Sequence, residues 1–380
     1  MTVSQCAAAY WVAAMSVQTL SAAIAAYRCR KPAAPVAPAK DAPPVSIVRP
    51  LCGVDPFLSE TLASTFALDY PTYEVVFCLA DGDDPAAPLA RRLMAAHPQI
   101  PSRLLIGDDR PSGNPKLNNC VKGWKAAAHD WIILADANVM MPKDYVQRMM
   151  ARWRPDSGIV CAPPVGSAPG SFAAELECAF LNTYQARWQY AGETCGFGFA
   201  QGKNMLWRRD ILEAGGGIEA LGGEIAEDAA ATKLIHRAGL NAHLVDATFN
   251  QPLGVRKWRE VWMRQVRWAR LRRATFPFHF APELVTTSLF AFIAAVLGAG
   301  SLDVAPWFAV LATAALWYGG EAILAAVAGW PLSARSPLAW AIRDLALPCL
   351  YVQAWTSNEF IWRGNAMTVA EDDQPVGAAR

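Results

Sequence analysis

The chain has 380 residues, of which 53% are hydrophobic and only 18% are charged. Soluble domains usually carry about a quarter charged residues, so this composition predicts a chain that lies partly in lipid. The net charge of +1 excludes a general electrostatic attraction to nucleic acid. The nine cysteines show no CxxC pair and no zinc spacing, which argues against a disulfide scaffold or a structural zinc site.

The first predicted element is a membrane helix at residues 7–27, within a membrane segment at 1–31. Residues 7–27 carry no charge over 21 positions, which is long enough to cross a bilayer, although a buried helix is the alternative. No cation precedes this stretch, whereas Arg28, Arg30 and Lys31 follow it. The positive-inside rule therefore predicts an N-terminus outside the membrane and a cytoplasmic location for the residues that follow.

A linker rich in Pro and Ala at 32–44 leads into a region, 45–255, that alternates strand and helix patterns. The predicted strands are Val45–Arg49, Val75–Leu79, Arg103–Ile106 and Trp131–Leu134. This alternation predicts an α/β fold with a mostly parallel sheet and helices on both faces. Ligands of such sheets bind beyond the carboxyl ends of the strands, and Asp84 and Asp136 both fall there.

Asp136 and Asn138 follow the last of these strands and allow two interpretations. Because side chains alternate along an extended strand end, both can point the same way and offer oxygen ligands to Mg²⁺ or Mn²⁺. An Asx turn that closes the strand explains the same two residues without a ligand. The residues alone do not decide between a metal site and a turn.

Lys116 lies in the stretch GNPKLNN at 113–119, which opens a predicted helix. The dipole at a helix N-terminus already favours anions, so a cation there is unusual for a cap but suits a diphosphate. The spacing of a P-loop is absent, which argues against a kinase or ATPase.

Glu227 and Asp228 begin another predicted helix, in the stretch 226–239. Acids in the first turn of a helix usually satisfy free N–H groups and complement the dipole, so this stretch alone favours a capping role.

The C-terminal third of the chain is predicted to meet the membrane. Residues 256–273 interleave eight cations with three Trp, which is typical of an interfacial amphipathic helix within a segment at 256–282. Apolar stretches at 284–300 and 304–330 predict two further spans in a membrane region at 283–365. Residues 337–362 are apolar but contain charged side chains. They allow two interpretations, a fourth membrane span or a re-entrant segment. The predicted tail is 366–380.

The order of these motifs resembles the ceramide glucosyltransferase family, membrane-bound glycosyltransferases with a D, D, D, (Q/R)xxRW series. The stretches that carry the resemblance are RPLCGVDP at 49–56, LDYPTYEVVFCLADGDDPA at 68–86, GNPKLNN at 113–119, AED at 226–228, RQVRW at 264–268 and WRGN at 362–365. The resemblance implies a GT-A nucleotide-sugar domain, Rossmann-like, that transfers glucose from UDP-glucose to the primary hydroxyl of ceramide with inversion. It also implies Mg²⁺ or Mn²⁺ as cofactor.

The resemblance further assigns roles to individual residues. Asp228 becomes the general base in place of a cap, with Glu227 as its neighbour. Asp136 and Asn138 become the metal ligands, and Gln185 and Trp268 are expected to contact the acceptor. The residues expected to contact the donor are Pro50, Asp84, Lys116, Asp136, Arg264, Arg267 and Trp268.

Two departures from the family pattern keep other substrates open. The stretch 184–197 has no His where animal members carry one, and 136–138 reads DAN where a DxD motif is expected. Diacylglycerol or another lipid acceptor, and a galactose or glucuronate donor, therefore remain alternatives. A polysaccharide synthase and a non-catalytic membrane-surface protein are further alternatives.

We expect a multi-pass protein of a bacterial inner membrane, with its catalytic domain in the cytoplasm and without a nucleic-acid or obligate protein partner.

Overall fold

The computed structural model describes residues 1–30, 34–362 and 365–368. Lys31, the first two linker residues, the centre of the WRGN motif and most of the predicted tail lie outside these described residues. The chain divides into two compact units. The helical unit comprises Met1–Lys31, Ala168–Ala191 and Val255–Arg380, and the sheet unit comprises Pro32–Ser167 and Gly192–Gly254.

Helices make up most of the described secondary structure. The α-helices are α1 Val3–Cys29, α2 Leu58–Ser64, α3 Ala87–Ala96, α4 Pro115–Ala126, α5 Tyr145–Met150, α6 Phe172–Cys178, α7 Arg187–Thr194, α8 Arg209–Ala214, α9 Glu227–Arg237, α10 Trp258–Thr275, α11 Pro277–Phe280, α12 Ser288–Gly298, α13 Pro306–Ala328 and α14 Ser336–Trp355. A π-helix spans Ala179–Ala186. Short 3₁₀ turns occur at Thr65–Ala67, Ile218–Gly223, Ala281–Glu283 and Ala299–Leu302.

Eleven strands occur in the described chain, and seven of them build the centre of the sheet unit. The strands are β1 Val45–Pro50, β2 Tyr73–Leu79, β3 Ser102–Ile106, β4 Trp131–Ala135, β5 Ser157–Cys161, β6 Val165–Pro169, β7 Asn204–Arg208, β8 Asn241–Leu244, β9 Asn250–Gly254, β10 Glu359–Trp362 and β11 Asn365–Thr368. In the described chain, seven of them form one sheet in the order β3-β2-β1-β4-β7-β5-β8. Strand β7 runs antiparallel to both of its neighbours, and the remaining pairs are parallel. The predicted α/β fold class with a mostly parallel sheet is confirmed.

The central strands are mostly apolar because helices cover both faces of a parallel sheet. Every residue of β2 is buried, as are the first five of β1 and the last four of β4. Their carboxyl ends lie at one edge of the sheet, the edge at which the sequence predicts a ligand.

Strand β7 brings a second segment to the same edge. It starts with Asn204, which lies opposite Ala135, the last residue of β4. The N–H of Asp136 donates to the carbonyl of Lys203 at 3.0 Å. Because β7 is antiparallel to β4, the residues that precede β7 lie next to the residues that follow β4.

Helices α1 and α13 are long and apolar enough to cross a membrane. A bent pair, Pro277–Glu283 with Ser288–Leu302, passes the same test if it is one span, with 49° between its parts. These elements correspond to the predicted spans at 7–27, 304–330 and 284–300, so the expectation of membrane helices is confirmed.

Helix α14 contains the charges of the ambiguous segment 337–362. It is not among the candidate spans of the described chain. Arg343 is fully buried and lies 2.8 Å from Glu321 and 2.7 Å from Asp344. Its Nη1 also donates to the hydroxyl of Thr183 at 2.9 Å. Buried charges need partners of this kind, and here the helical unit supplies them.

The segment Ala168–Ala191 lies inside the predicted catalytic domain, 45–255. By its contacts it groups with the helical unit. Leu176, Phe180 and Tyr184, spaced four residues apart, pack with Val261 and Leu347. Helical spacing predicts an apolar face, but it does not say which element covers that face, so the domain assignment depends on tertiary packing.

Candidate active site

The N-terminus of α4 carries a lysine that pairs with two carboxylates. Asn114 caps the helix, because its Oδ1 accepts from the N–H groups of Lys116 and the next residue at 3.0 and 3.1 Å. The Nζ of Lys116 lies 2.7 Å from Asp136 Oδ1 and 2.6 Å from Glu227 Oε1. It also donates to the carbonyl of Gly202. Lys116 therefore joins three segments that are far apart in sequence.

Asp136 is paired with cations on both of its oxygens. Its Oδ2 lies 2.7 Å from the Nζ of Lys203, which also donates to Asn138 Oδ1 at 3.1 Å. Burial by itself raises the pKa of Asp136, but the ammonium groups of Lys116 and Lys203 outweigh burial and hold this pKa well below its usual range. Asp136 is therefore ionised throughout the physiological pH range.

Asp228 does not cap its own helix in the usual way. Helix α9 begins at Glu227 without a side-chain cap at the preceding residue. The Oδ2 of Asp228 accepts from the N–H of Gly202 at 3.2 Å, and its Oδ1 accepts from the N–H of Ala229 at 2.9 Å. Burial, followed by the charge of Glu227, raises the pKa of Asp228 to about 6 against the opposing effect of Lys116. A carboxylate with this pKa is suited to accept a proton near neutral pH.

Gly202 is a site residue that the sequence analysis missed. Its N–H and its carbonyl contact Asp228 and Lys116, respectively. A Cβ at this position would lie 2.8 Å from Glu227 Oε1 and 3.2 Å from Lys116 Nζ, so glycine leaves the room that these charged groups occupy. The signal in the sequence was a glycine two residues before a strand, since glycine near a strand can mark a close approach of the backbone. Lys203 and Asn114 were also missed as site residues.

We expect Gly202→Ala to lower kcat/KM about 10²-fold, because displacing reacting groups by about 1 Å can cost this much. The added methyl group pushes on Glu227 and Lys116. Steady-state kinetics of the purified protein measure the effect. Gly223→Ala is the matched control, since a Cβ there meets nothing within 4 Å. Equal kcat/KM for the two variants would contradict the arrangement described for this site.

Asp84 ties together the loops that follow β1 and β2. Its carboxylate accepts from the N–H of Gly53 at 2.9 and 3.1 Å and from the N–H of Ala86 at 2.8 Å. Pro50 is the last residue of β1. Both residues therefore lie at the sheet edge that also carries Asp136.

The other predicted contact residues belong to the helical unit, and they are Arg264, Arg267, Trp268 and Gln185. Arg264 pairs with the buried carboxylate of Glu177. Gln185 donates to Gln265 Oε1 at 2.9 Å and lies in the π-helix, a type of helix often found at functional sites. Arg267 and Trp268 are half-buried on α10.

The residues around Asp136 fit a metal ion only in part. Over the described residues there is no group of three or more His, Cys, Asp or Glu side chains that could hold one. Asp136 and Asn138 offer one carboxylate and one amide oxygen. Mg²⁺ is commonly bound by one or two carboxylates together with substrate phosphates. These residues therefore fit a divalent cation that binds with a diphosphate, and not one held by the protein alone.

The fold and the site together define a class of enzyme. A half-buried carboxylate with a raised pKa, Asp228, lies near a lysine at a helix N-terminus, on the ligand-binding edge of a mostly parallel sheet. This arrangement suits group transfer from a phosphate-bearing donor.

Comparison with known proteins specifies the family. The family model of Glycosyl transferase family 21 matches residues 9–374. The chain belongs to this family and is a glycosyltransferase.

Similar curated proteins carry one name. Ceramide glucosyltransferase 3 of Caenorhabditis elegans is 26% identical over 339 residues, which cover 86% of this chain and 73% of that protein. Ceramide glucosyltransferase 1 of the same organism is 27% identical over 245 residues, which cover 64% of this chain and about half, 52%, of that protein. The ceramide glucosyltransferase of Komagataella phaffii is 37% identical over 99 residues, 25% of this chain and 19% of that protein.

Similar solved structures include two glycosyltransferases with Mn²⁺. A mannosyltransferase from Pyrobaculum calidifontis in complex with GDP-Man and Mn²⁺ has a TM-score of 0.46 and 17% identity, covering 92% of this chain and 97% of that one. Glucosyl-3-phosphoglycerate synthase from Mycobacterium tuberculosis with Mn²⁺, UDP and phosphoglyceric acid has a TM-score of 0.38 and 15% identity, covering 62% and 79%.

Proposed function

We propose that this family 21 enzyme transfers glucose from UDP-glucose to the primary hydroxyl of ceramide. The observation that carries the proposal is the match to the family over residues 9–374. Relatives named ceramide glucosyltransferases support ceramide as the acceptor over diacylglycerol. Helices long enough to cross a membrane suit an enzyme with a lipid substrate.

Asp228 is the general base of the proposed reaction. It accepts the proton of the ceramide hydroxyl as the oxygen attacks the anomeric carbon and the bond from that carbon to the diphosphate breaks. UDP leaves, and the configuration at the anomeric carbon inverts because the transfer is one displacement. The pKa of Asp228, raised to about 6, and the hydrogen bond from Gly202 support this assignment.

The donor diphosphate binds at the carboxyl edge of the sheet. Lys116 meets it at the N-terminus of α4, and Asp84 and Pro50 shape the loops that receive the nucleotide. Asp136 and Asn138 would hold Mg²⁺ or Mn²⁺, with the donor phosphates supplying further oxygens. When bound, this cation neutralises the negative charge that develops on the leaving diphosphate.

Residues of the helical unit also have binding roles in this proposal. Arg264 and Arg267 bind the donor phosphates, and an Arg fork is well suited to such charge-assisted contacts. Trp268 offers an apolar face to the sugar and the lipid, and Gln185 contacts the acceptor. Arg264 is held by Glu177, which supports a fixed position for its guanidinium.

We also propose a topology for the membrane protein. Cations follow α1 and none precedes it, which supports an N-terminus outside and a catalytic domain in the cytoplasm of a bacterium. The same arrangement lets cytoplasmic UDP-glucose reach the inner membrane surface.

A donor and acceptor matrix tests the proposed function. Detergent-purified protein receives UDP-glucose, UDP-galactose or UDP-glucuronate, each with ceramide or diacylglycerol and with Mn²⁺. We expect glucosylceramide as the main product and its loss in Asp228→Asn. A product formed mainly on diacylglycerol would remove the ceramide assignment and leave the family intact.

A further inference from the structure

Lys203 occupies the position next to both proposed metal ligands. Its Nζ lies 2.7 Å from Asp136 Oδ2 and 3.1 Å from Asn138 Oδ1. The other oxygen of Asp136 pairs with Lys116 at 2.7 Å. The side chains of Lys203 and Asp136 are each only 18% exposed, so water screens this pair weakly.

An ammonium group and a divalent cation compete for these two oxygens. The ammonium is a compact point charge, and it lies between an acidic and an amide oxygen that a hard cation also prefers. A cation that binds Asp136 Oδ2 and Asn138 must therefore displace the head group of Lys203. The four-carbon stem of lysine is flexible enough to move while the backbone stays in place before β7.

We propose that Lys203 is a resident counter-ion of Asp136 and Asn138, that the divalent cation displaces it when the nucleotide donor binds, and that the released ammonium then binds the donor diphosphate. This inference rests on the proposed function, because it takes Asp136 and Asn138 as the metal ligands. In the absence of donor, the lysine compensates a buried carboxylate that would be costly to leave unpaired. With donor present, both the cation and the lysine face the phosphates.

Mn²⁺ binding measured from the electron paramagnetic resonance signal of free Mn²⁺ tests the inference without turnover. The detergent-purified full-length protein is titrated with and without UDP. Without UDP, we expect Lys203→Met to bind Mn²⁺ about tenfold more tightly than the wild type, a change of the size measured for close charge pairs. With saturating Mn²⁺, we expect the same variant to bind UDP about tenfold more weakly, because a phosphate contact is lost.

Three further variants sharpen the comparison. Lys203→Gln removes the charge but keeps a donor to both oxygens, so it gives the same expected result if Lys203→Met does not fold. Lys203→Arg keeps the charge and is expected to retain the weak Mn²⁺ binding of the wild type. Lys233→Met removes a lysine that pairs with Glu224 elsewhere in the sheet unit, and it is expected to behave as the wild type.

The outcomes separate this inference from the proposed function. Unchanged Mn²⁺ affinity in the neutral Lys203 variants without UDP would overturn the counter-ion role, and unchanged UDP affinity would overturn the phosphate contact. If the wild type and Asp136→Asn bind Mn²⁺ equally in the presence of UDP, the metal assignment in the proposed function itself fails.

Discussion

Replacing Asp228 by Asn is expected to lower kcat about 10³-fold, within the range usual for loss of a general base. The amide cannot take the proton of the acceptor hydroxyl. Its one oxygen keeps the hydrogen bond from the N–H of Gly202, while the bond that Asp228 accepts from the N–H of Ala229 is lost. Turnover with UDP-glucose and ceramide gives kcat, and the affinity for UDP is expected to stay close to that of the wild type.

The pH profile distinguishes a base from a structural carboxylate. Asp228 must be ionised to accept a proton, and its pKa is raised to about 6. Below that pH we expect kcat/KM of the wild type to fall about tenfold per pH unit, and above it to level off. The variant is expected to lose this acid limb.

Asp210→Asn is the matched control, because Asp210 also lies in the first turn of a helix, α8, but is exposed and pairs with Arg208. It is expected to keep wild-type activity. If Asp228→Asn also keeps its activity and loses only about 1 kcal/mol of stability, then Asp228 serves the helix start and not the chemistry.

Replacing Lys116 by Met is expected to have the second large effect, on stability as well as on donor binding. Burial lowers the pKa of Lys116, but Asp136 and Glu227 outweigh burial and raise this pKa well above its usual value, so the lysine stays charged. Its removal leaves the buried Glu227 and the half-buried Asp136 without their shared cation. Breaking a buried pair in this way costs about 3–5 kcal/mol.

Thermal unfolding in detergent and UDP affinity measure the two parts of this prediction. Lys125→Met, on the same helix, is the control. Lys125 is 65% exposed and pairs with Glu219, and exposed pairs contribute about 0–1 kcal/mol. A Lys116→Met variant as stable as Lys125→Met would show that the buried carboxylates do not depend on Lys116.

Local pattern predicted the parts of this molecule that depend on neighbours in sequence. Short runs rich in apolar residues predicted β1, β2 and β4, because strands covered on both faces are largely apolar. Acids that follow such strands placed Asp84 and Asp136 at the ligand-binding edge. Long apolar stretches predicted α1 and α13 by length and hydropathy.

The order of the motifs along the chain indicated the protein family, whereas the residues of any single motif did not. The local sequence around Asp228 favoured a helix-capping role for this residue, because acids are common in the first turn of helices. Its burial and its contact with Gly202 come from a loop far away in the chain, and no helical periodicity carries that information.

By itself, the sequence determined the α/β class, the membrane helices and the positions of the acids, because each depends on local spacing and hydrophobicity. Only the tertiary structure decided the partners of those acids. Strand β7 runs antiparallel to β4, so its preceding residues, Gly202 and Lys203, meet Asp136. Likewise Glu177 pairs with Arg264 because α6 belongs to the helical unit. Strand direction and the choice of packing partner are long-range properties, which no local pattern in the sequence carries.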